Sequence, residues 1–285
     1  MHSYSDQTIQ SLEKIALDLR LTALEMIYRR QAGHPGGSLS AADIITALYF
    51  NKMRIDPKNP QDPDRDWFIL SKGHASSILY AALAEKGYFP KEDLLEWGSL
   101  TCHLQGHPDR NKTPGVDMST GVLGHGINVG AGLALAAKLN GKSYRTYVLL
   151  GDGECHGGIV WEGAMTAGKF KLDNLTLIVD YNDVQLDGFV HDIMPMEPFI
   201  DKWKAFNLAV IEIDGHNMRQ ILEALDRAEL THDRTTVIVA RTVKGKGVSF
   251  MENNNKWHGN VPNEQQMEQV RMELTEGAMR KGRVQ

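Results

Sequence analysis

The chain has 285 residues, 42% of them hydrophobic and 24% charged, with a net charge of −5. That is the make-up of a soluble globular protein, one large α/β domain or two small ones, and its interspersed charges leave no basic footprint for nucleic acid. No apolar run approaches membrane-spanning length, MHSYSDQTIQ lacks a signal core, and two cysteines, Cys102 and Cys155, point to unpaired thiols in a reducing cytoplasm.

Residues 6–31 read as an amphipathic helix, with Ile9, Leu12, Ile15, Ala16, Leu19, Ala23, Met26 and Ile27 at three- and four-residue steps. Ser5 or Asp6 suits its start. AGHPGGS ends it, with Gly33 as the stop and Pro35 blocking continuation, so His34 sits in a rigid turn. A second helix is expected over 41–50. Pro57, Pro60 and Pro63 then mark an ordered surface loop before a strand at 67–70. SKGHASS follows, placing Gly73 and His74 at a strand end before a helix over 75–86. In an open α/β sheet that edge binds ligands.

Residues 98–126 show little periodicity but carry His103, His107 and His125 among glycines, the profile of a functional loop. GINVGAGLALAAKL, 126–139, reads as a small-residue helix made for close packing, against a copy of the chain or a partner.

The centre of the chain runs from 144 to 188. A buried strand, Tyr147 to Leu150, leads into GDGECHGG, then a helix over 159–171, a second strand, LTLIVD, and the loop YNDVQLDG. Gly151 and Gly153 permit a sharp turn and a close ligand. With Gly157 and the strand-end Asp180, the turn loosely resembles a dinucleotide fingerprint. Asp152 argues against a bare phosphate site, because like charges repel. A divalent cation turns that repulsion into attraction. Asp152, the Asn182 amide oxygen, the Val184 carbonyl, two phosphate oxygens and a water would complete an octahedron for magnesium.

Further on, a helix is expected over 197–206, a strand over 208–214, a helix capped by Asn217 and running to Leu230, and a strand over 236–241. TVKGKGVSF and NNNKWHGNVP form a glycine-rich end loop with His258, and a polar helix closes the chain at about 263–282. This alternation implies a doubly wound, mainly parallel sheet flanked by helices.

Seven blocks, AGHPGGSLS, SKGHAS, QGHPD, STGVLGHGIN, GDGE, DYNDVQLDG and KWHG, occur in order along the chain. Together they resemble the N-terminal, pyrophosphate-binding domain of the transketolase family, and GDG followed after 28 residues by Asn resembles the thiamine diphosphate signature. The resemblance implies the thiamine-diphosphate-binding fold, with 1–285 as one pyrophosphate domain. It implies thiamine diphosphate with Mg2+, for which Ca2+ or Mn2+ can substitute. His74, Gly153, Glu154, Asn182 and His258 then stand for cofactor-binding residues, with Gly121, Leu123 and Gly124 packing on the cofactor rings. Asp152, Asn182 and Val184 stand for metal ligands. His34, His107 and His258 stand for the catalytic histidines that bind donor oxygens and move protons near neutral pH.

In this family the pyrimidine-binding domain follows the first domain, but the chain ends at Gln285. The expectation is therefore the N-terminal subunit of a split transketolase, paired with a C-terminal subunit in a heterotetramer of two heterodimers. It would transfer a two-carbon ketol unit between sugar phosphates or related sugars. Gly157 stands where many members carry a glutamate of the inter-site acidic network, while Glu162 keeps a matching position. The α subunit of a 2-oxo acid dehydrogenase, a non-catalytic partner-binding paralogue and a nicotinamide dehydrogenase remain as alternatives.

Overall fold

Short, continuously apolar strands that send successive side chains to opposite faces organise the molecule into layers. The computed structural model describes residues 3–281. Positions 1–2 and 282–285, the ends of the expected domain and the last residue of the expected terminal helix, lie outside the described residues. In chain order the elements are α1 (Asp6–Arg30), α2 (Pro35–Ala47), β1 (Trp67–Leu70), α3 (Ser76–Lys86), α4 (His125–Leu139), β2 (Thr146–Gly151) and α5 (Gly158–Phe170). Then follow β3 (Leu175–Tyr181), α6 (Val190–Ile193), α7 (Phe199–Ala205), β4 (Ala209–Asp214), α8 (Met218–Leu230), β5 (Thr236–Arg241) and α9 (Glu264–Lys281).

The five strands pair in the order β1-β2-β3-β5-β4, every pair parallel. Tyr147, Leu149, Ile178 and Ile238 face a core shared with α1, α2, α3 and α8. Val148, Leu150, Leu177, Val179, Val237 and Val239 face the opposite core, built with α4, α5 and α7. Both faces of each central strand are thus apolar, as a helix-covered parallel sheet requires. Each fully buried Val, Leu or Ile here contributes about 1.5–3 kcal/mol. A third core joins Leu24 and Leu39 to Met267, Val270 and Leu274 of α9.

Two helix boundaries differ from the sequence expectation. Gln31, in the left-handed conformation (φ 56°), ends α1 two residues before Gly33. Its side-chain amide donates to the Tyr28 carbonyl, as does its backbone N–H. α2 begins at Pro35 rather than at 41, because proline suits the first helical position and its neighbours are too small to obstruct packing. It then widens into a π-helical turn, Leu48–Lys52. The small-residue helix α4 packs within the chain: a Cβ on Gly130 would stand 2.5 Å from Val148 Cγ2. Likewise a Cβ on Gly163 of α5 would stand 2.8 Å from Ile127.

Parallel pairing has one consequence for chemistry. Gly151 pairs with Asp180, Asp180 with Ala240, and Arg241 with Asp214, so β2 to β5 finish at one edge. The segments leaving that edge are the glycine- and histidine-bearing loops.

Candidate functional site

Two fully enclosed carboxylates stand side by side at that edge. Asp180 accepts hydrogen bonds from Lys72 Nζ, Ser40 Oγ (2.6 Å) and Thr242 Oγ1. Burial works to raise its pKa, but the Lys72 ammonium and these hydrogen bonds outweigh it and hold the carboxyl low. Asp152 is held by backbone instead. Its Oδ1 accepts the Gly153 N–H at 2.7 Å and its Oδ2 the Asp183 N–H at 2.5 Å. Burial, then the charge of Asp180, push its carboxyl up to about 7.

Around Asp152 lie oxygen donors of the next loop. Asn182 Oδ1 accepts the Val184 N–H at 3.1 Å, which fixes the amide, and the Val184 carbonyl accepts from Lys244 Nζ at 2.7 Å. That carbonyl therefore already serves a cation. No cluster of three His, Cys, Asp or Glu side chains suited to a metal occurs among the described residues. One buried carboxylate, one amide oxygen and one carbonyl instead form a hard, oxygen-only donor set, the kind that suits magnesium or calcium. The residues present fit such a cation.

Lys244 and the histidines form the other wall. The rings of His34, His74 and His258 make a triangle with centroids 5.1, 5.4 and 5.3 Å apart. Lys244 Nζ also reaches His258 Nδ1 at 2.8 Å. An ammonium can only donate, so Nδ1 accepts and His258 Nε2 carries the proton. Burial, then neighbouring Lys244, lower His258 to about 3, so the ring is neutral at any physiological pH. Burial and nearby Lys72 push His74 well down, and burial followed by His107 and Lys244 lowers His34. Burial also brings Lys244 down to about 8. A cavity of about 290 Å3 opens between these walls, lined by Lys72, His74, Leu123, Asp152, Asn182 and Lys244 among others. It can receive an anion bridged by a cation, beside neutral imidazoles that offer hydrogen bonds.

The structure gathers most residues singled out from the sequence. His34, His74, Leu123, Asp152, Gly153, Asn182, Val184 and His258 meet at the cavity or its histidine wall. His107 is exposed at the rim, its ring 3.3 Å from where a Cβ of Gly121 would be. Glu154 is buried and already engaged: its carboxylate accepts from Ser71 Oγ, Gly124 N (2.7 Å) and Gly151 N (3.0 Å), tying three loops together. Gly124 has φ +83° and packs on Ile159, which only glycine tolerates. Asp180, the acid of a dinucleotide fingerprint, is enclosed and hydrogen-bonded, so it is not free for a ribose. His103 turns away to Asp93, 3.0 Å distant, and His125 is exposed at the start of α4. Glu162 is exposed on α5, one turn beyond Gly157.

Sequence reasoning missed Lys72 and Lys244. Both were detectable as lysines inside glycine-bearing strand-end segments, SKGH and TVKGKG, where a solvated lysine gains nothing. A wider hollow of about 690 Å3 lies at the other end of the sheet, ringed by Lys52, Arg54, Asp66 and Glu229. Its charges pair with one another, Lys52 with Glu229 and Arg54 with Asp66, so it offers no comparable chemistry.

Comparison with known proteins follows the same lines. Residues 11–280 match the family model described as transketolase, thiamine diphosphate binding domain. The chain is 41% identical over 268 residues to one subunit of the apulose-4-phosphate transketolase of Phocaeicola vulgatus, covering 94% of this chain and 95% of that one. It is 45% identical over 248 residues to the 6-deoxy-6-sulfo-D-fructose transketolase subunit SqwG of a Clostridium species, covering 87% and 90%. Among solved structures, the transketolase of Campylobacter jejuni superposes with a TM-score of 0.89 at 32% identity. That match covers 96% of this chain but 46% of the solved one.

Proposed function

Because the chain belongs to the transketolase family, we propose that it is the pyrophosphate-binding subunit of a split transketolase. In this reading residues 1–285 form one domain that binds thiamine diphosphate and magnesium in the cytoplasm. With a separate subunit carrying the pyrimidine-binding domain, it moves a two-carbon ketol unit from a ketose to an aldose. The observation that carries the reading is Asp152, a buried carboxylate raised to about 7 beside the Asn182 amide and the Val184 carbonyl. Such a group is unfavourable unless a cation comes to it.

Asp152, Asn182 and Val184 would hold the metal. Lys244, His74, the Gly153 segment and the His258 Nε2–H would meet the diphosphate, with Gly121, Leu123 and Gly124 against the rings. Bound there, thiamine diphosphate supplies an electron sink that lets a carbon–carbon bond next to a carbonyl break and reform. The chain's own residues handle protons. His34, kept neutral by burial and nearby cations, can take a proton from a sugar hydroxyl, His258 can offer only its Nε2–H to an oxygen, and His107 at the rim can hold a proton near the donor oxygens. Glu154 keeps the Gly124 and Gly151 backbones in register beneath them.

Two named relatives act, by their names, on apulose 4-phosphate and on 6-deoxy-6-sulfo-D-fructose. A ketose with an acidic tail is accordingly the donor class proposed here, its tail gripped by the partner. Exposed Leu186 at the cavity, Val122 beside Leu123, and Ile193 and Met194 at the end of α6 suit coverage by that second chain, in a heterotetramer of two heterodimers. The test is purification with magnesium and thiamine diphosphate, followed by mass identification of what accompanies the chain and assay of ketol transfer from phosphorylated and sulfonated ketoses. A partner with a pyrimidine-binding domain and ketol transfer by the complex are expected. A complex that neither binds the cofactor nor transfers ketol would refute the assignment.

A further inference from the structure

His216 lies in the turn after β4, outside the cavity, and no part of the mechanism above uses it. Its imidazole is nonetheless held at both nitrogens. Nδ1 lies 2.8 Å from Asp43 Oδ2, and Nε2 lies 2.8 Å from the backbone nitrogen of Val243. A peptide N–H can only donate, so Nε2 is the acceptor and Nδ1 carries the proton toward Asp43. Asp43 is in turn clamped by Arg20, whose Nη2 donates to Oδ2 at 2.5 Å while Nε donates to the Leu39 carbonyl. Burial opposes the Asp43 charge, but Arg20 and the His216 hydrogen bond keep it ionised far below the usual carboxylate range. The ring therefore has one tautomer and one orientation.

What it touches is the residue before Lys244. Besides the Thr242 hydroxyl on Asp180 and the Asn253 N–H on the Lys244 carbonyl, three outward-pointing backbone N–H groups hold the turn over 242–245. The Thr242 N–H donates to the Tyr181 carbonyl (3.0 Å) and the Gly245 N–H to the Gly36 carbonyl (3.1 Å). The Val243 N–H donates to His216. The outer two are backbone pairs that most sequences would supply; the middle one is a side chain and is specific. The fit around it is tight. A Cβ on Gly36 would stand 2.9 Å from Lys244 Cγ, and a Cβ on Gly215 would stand 2.4 Å from Thr242 Cγ2. We propose that His216, oriented by Asp43, is a positioning residue that sets the 242–245 turn and thereby aims the Lys244 ammonium at the cofactor's diphosphate. This rests on the cofactor reading given above.

The test uses the complex of the full chain with its partner, at fixed magnesium. Thiamine diphosphate affinity is measured by titration calorimetry, and kcat at saturating cofactor. His216→Asn keeps an amide for Asp43 but falls short of Val243; His216→Gln offers an amide to one and a carbonyl to the other. His216→Asn is expected to weaken cofactor binding about tenfold with kcat at saturation within twofold of wild type, and His216→Gln to recover most of the loss. In a Lys244→Met background the same His216→Asn change should alter affinity by less than about twofold, because the group it positions is gone. Wild-type affinity in His216→Asn, or an equal loss with and without Lys244, would overturn the proposal. Should His216→Asn not fold, His216→Gln run through the same cycle decides it, a loss independent of Lys244 being the refuting outcome. A wild-type complex that binds no thiamine diphosphate would instead refute the functional reading on which the proposal stands.

Discussion

The two edges of the sheet treat charge in opposite ways. At the N-terminal edge Lys52 Nζ lies 2.6 Å from Asp226 and 2.9 Å from Glu229. There Asp66 pairs with Arg54 at 2.9 Å and also accepts the backbone N–H groups of Arg54 and Arg145. At the C-terminal edge Asp152 accepts only backbone N–H groups among its hydrogen bonds in the described residues, and Lys244 directs its ammonium to a carbonyl and an imidazole. Their pKa values move toward neutrality, to about 7 and about 8. Both edges are built from strand termini and buried charge, so burial alone does not make a site. What separates them is that the C-terminal edge, beside its paired Lys72 and Asp180, also holds Asp152 and Lys244, which the fold gives no direct ion pair. Groups left without a counter-charge are poised for a ligand that brings one.

The contrast can be broken most severely at Asp152. Asp152→Ala should leave no measurable metal-dependent binding of thiamine diphosphate by calorimetry; unchanged affinity would move the metal elsewhere. Asp43 is the paired control near the same edge. Asp43→Asn should cost about 3–5 kcal/mol in urea unfolding near neutral pH, because Arg20 loses its buried partner. The folded-state pKa of Asp43 is depressed, so its contribution is complete above the ordinary carboxylate range and is withdrawn as pH falls through the acid range. The gap between wild type and Asp43→Asn should therefore begin to narrow near the ordinary carboxylate pKa, about 4, and keep narrowing as pH falls further; a constant gap would mean the charge is not what stabilises.

A matched pair of lysines tests the comparison directly. Lys52→Met should cost about 3 kcal/mol of stability and leave cofactor affinity intact. Lys244→Met should cost little stability, since a desolvated ammonium is replaced by an apolar chain, and lower cofactor affinity at least tenfold. Equal effects on stability would erase the distinction between the edges. A change confined to the rate is expected at the rim. His107→Ala should spare cofactor affinity and slow ketol transfer about a hundredfold, the usual worth of one proton-handling side chain. Loss of affinity with unchanged kcat would assign His107 to the diphosphate instead.

The strands and the cap at Asn217 were legible because they depend on short apolar runs and on one side chain accepting from its own backbone, Asn217 Oδ1 from the Gln220 N–H at 3.1 Å. The start of α2 was not. Pro35, Gly36 and Gly37 read as a turn, and only the close approach of Lys244 and the Trp257 carbonyl, each 2.9 Å from where a Cβ of Gly36 would stand, shows why glycine follows the proline that begins the helix. The same limit hid Lys72 and Lys244. Each looks like a surface lysine until the loops that bury it are assembled.

Composition, periodicity and seven ordered blocks were enough to determine the α/β class, the parallel sheet and the family, because those properties repeat along the chain or sit within short segments. Distances between segments decided the rest. Asp152 and Asp180 are both acids at strand ends, and the GDG spacing that singles out Asp152 does not reveal what surrounds either of them. The fold brings Lys72, Ser40 and Thr242 onto Asp180 and gives Asp152 the backbone N–H groups of Gly153 and Asp183. Likewise His216 gained its place only when the end of β4 met the end of β5. A charge takes its chemical character from neighbours tens to hundreds of residues away, and those neighbours exist only in the folded chain.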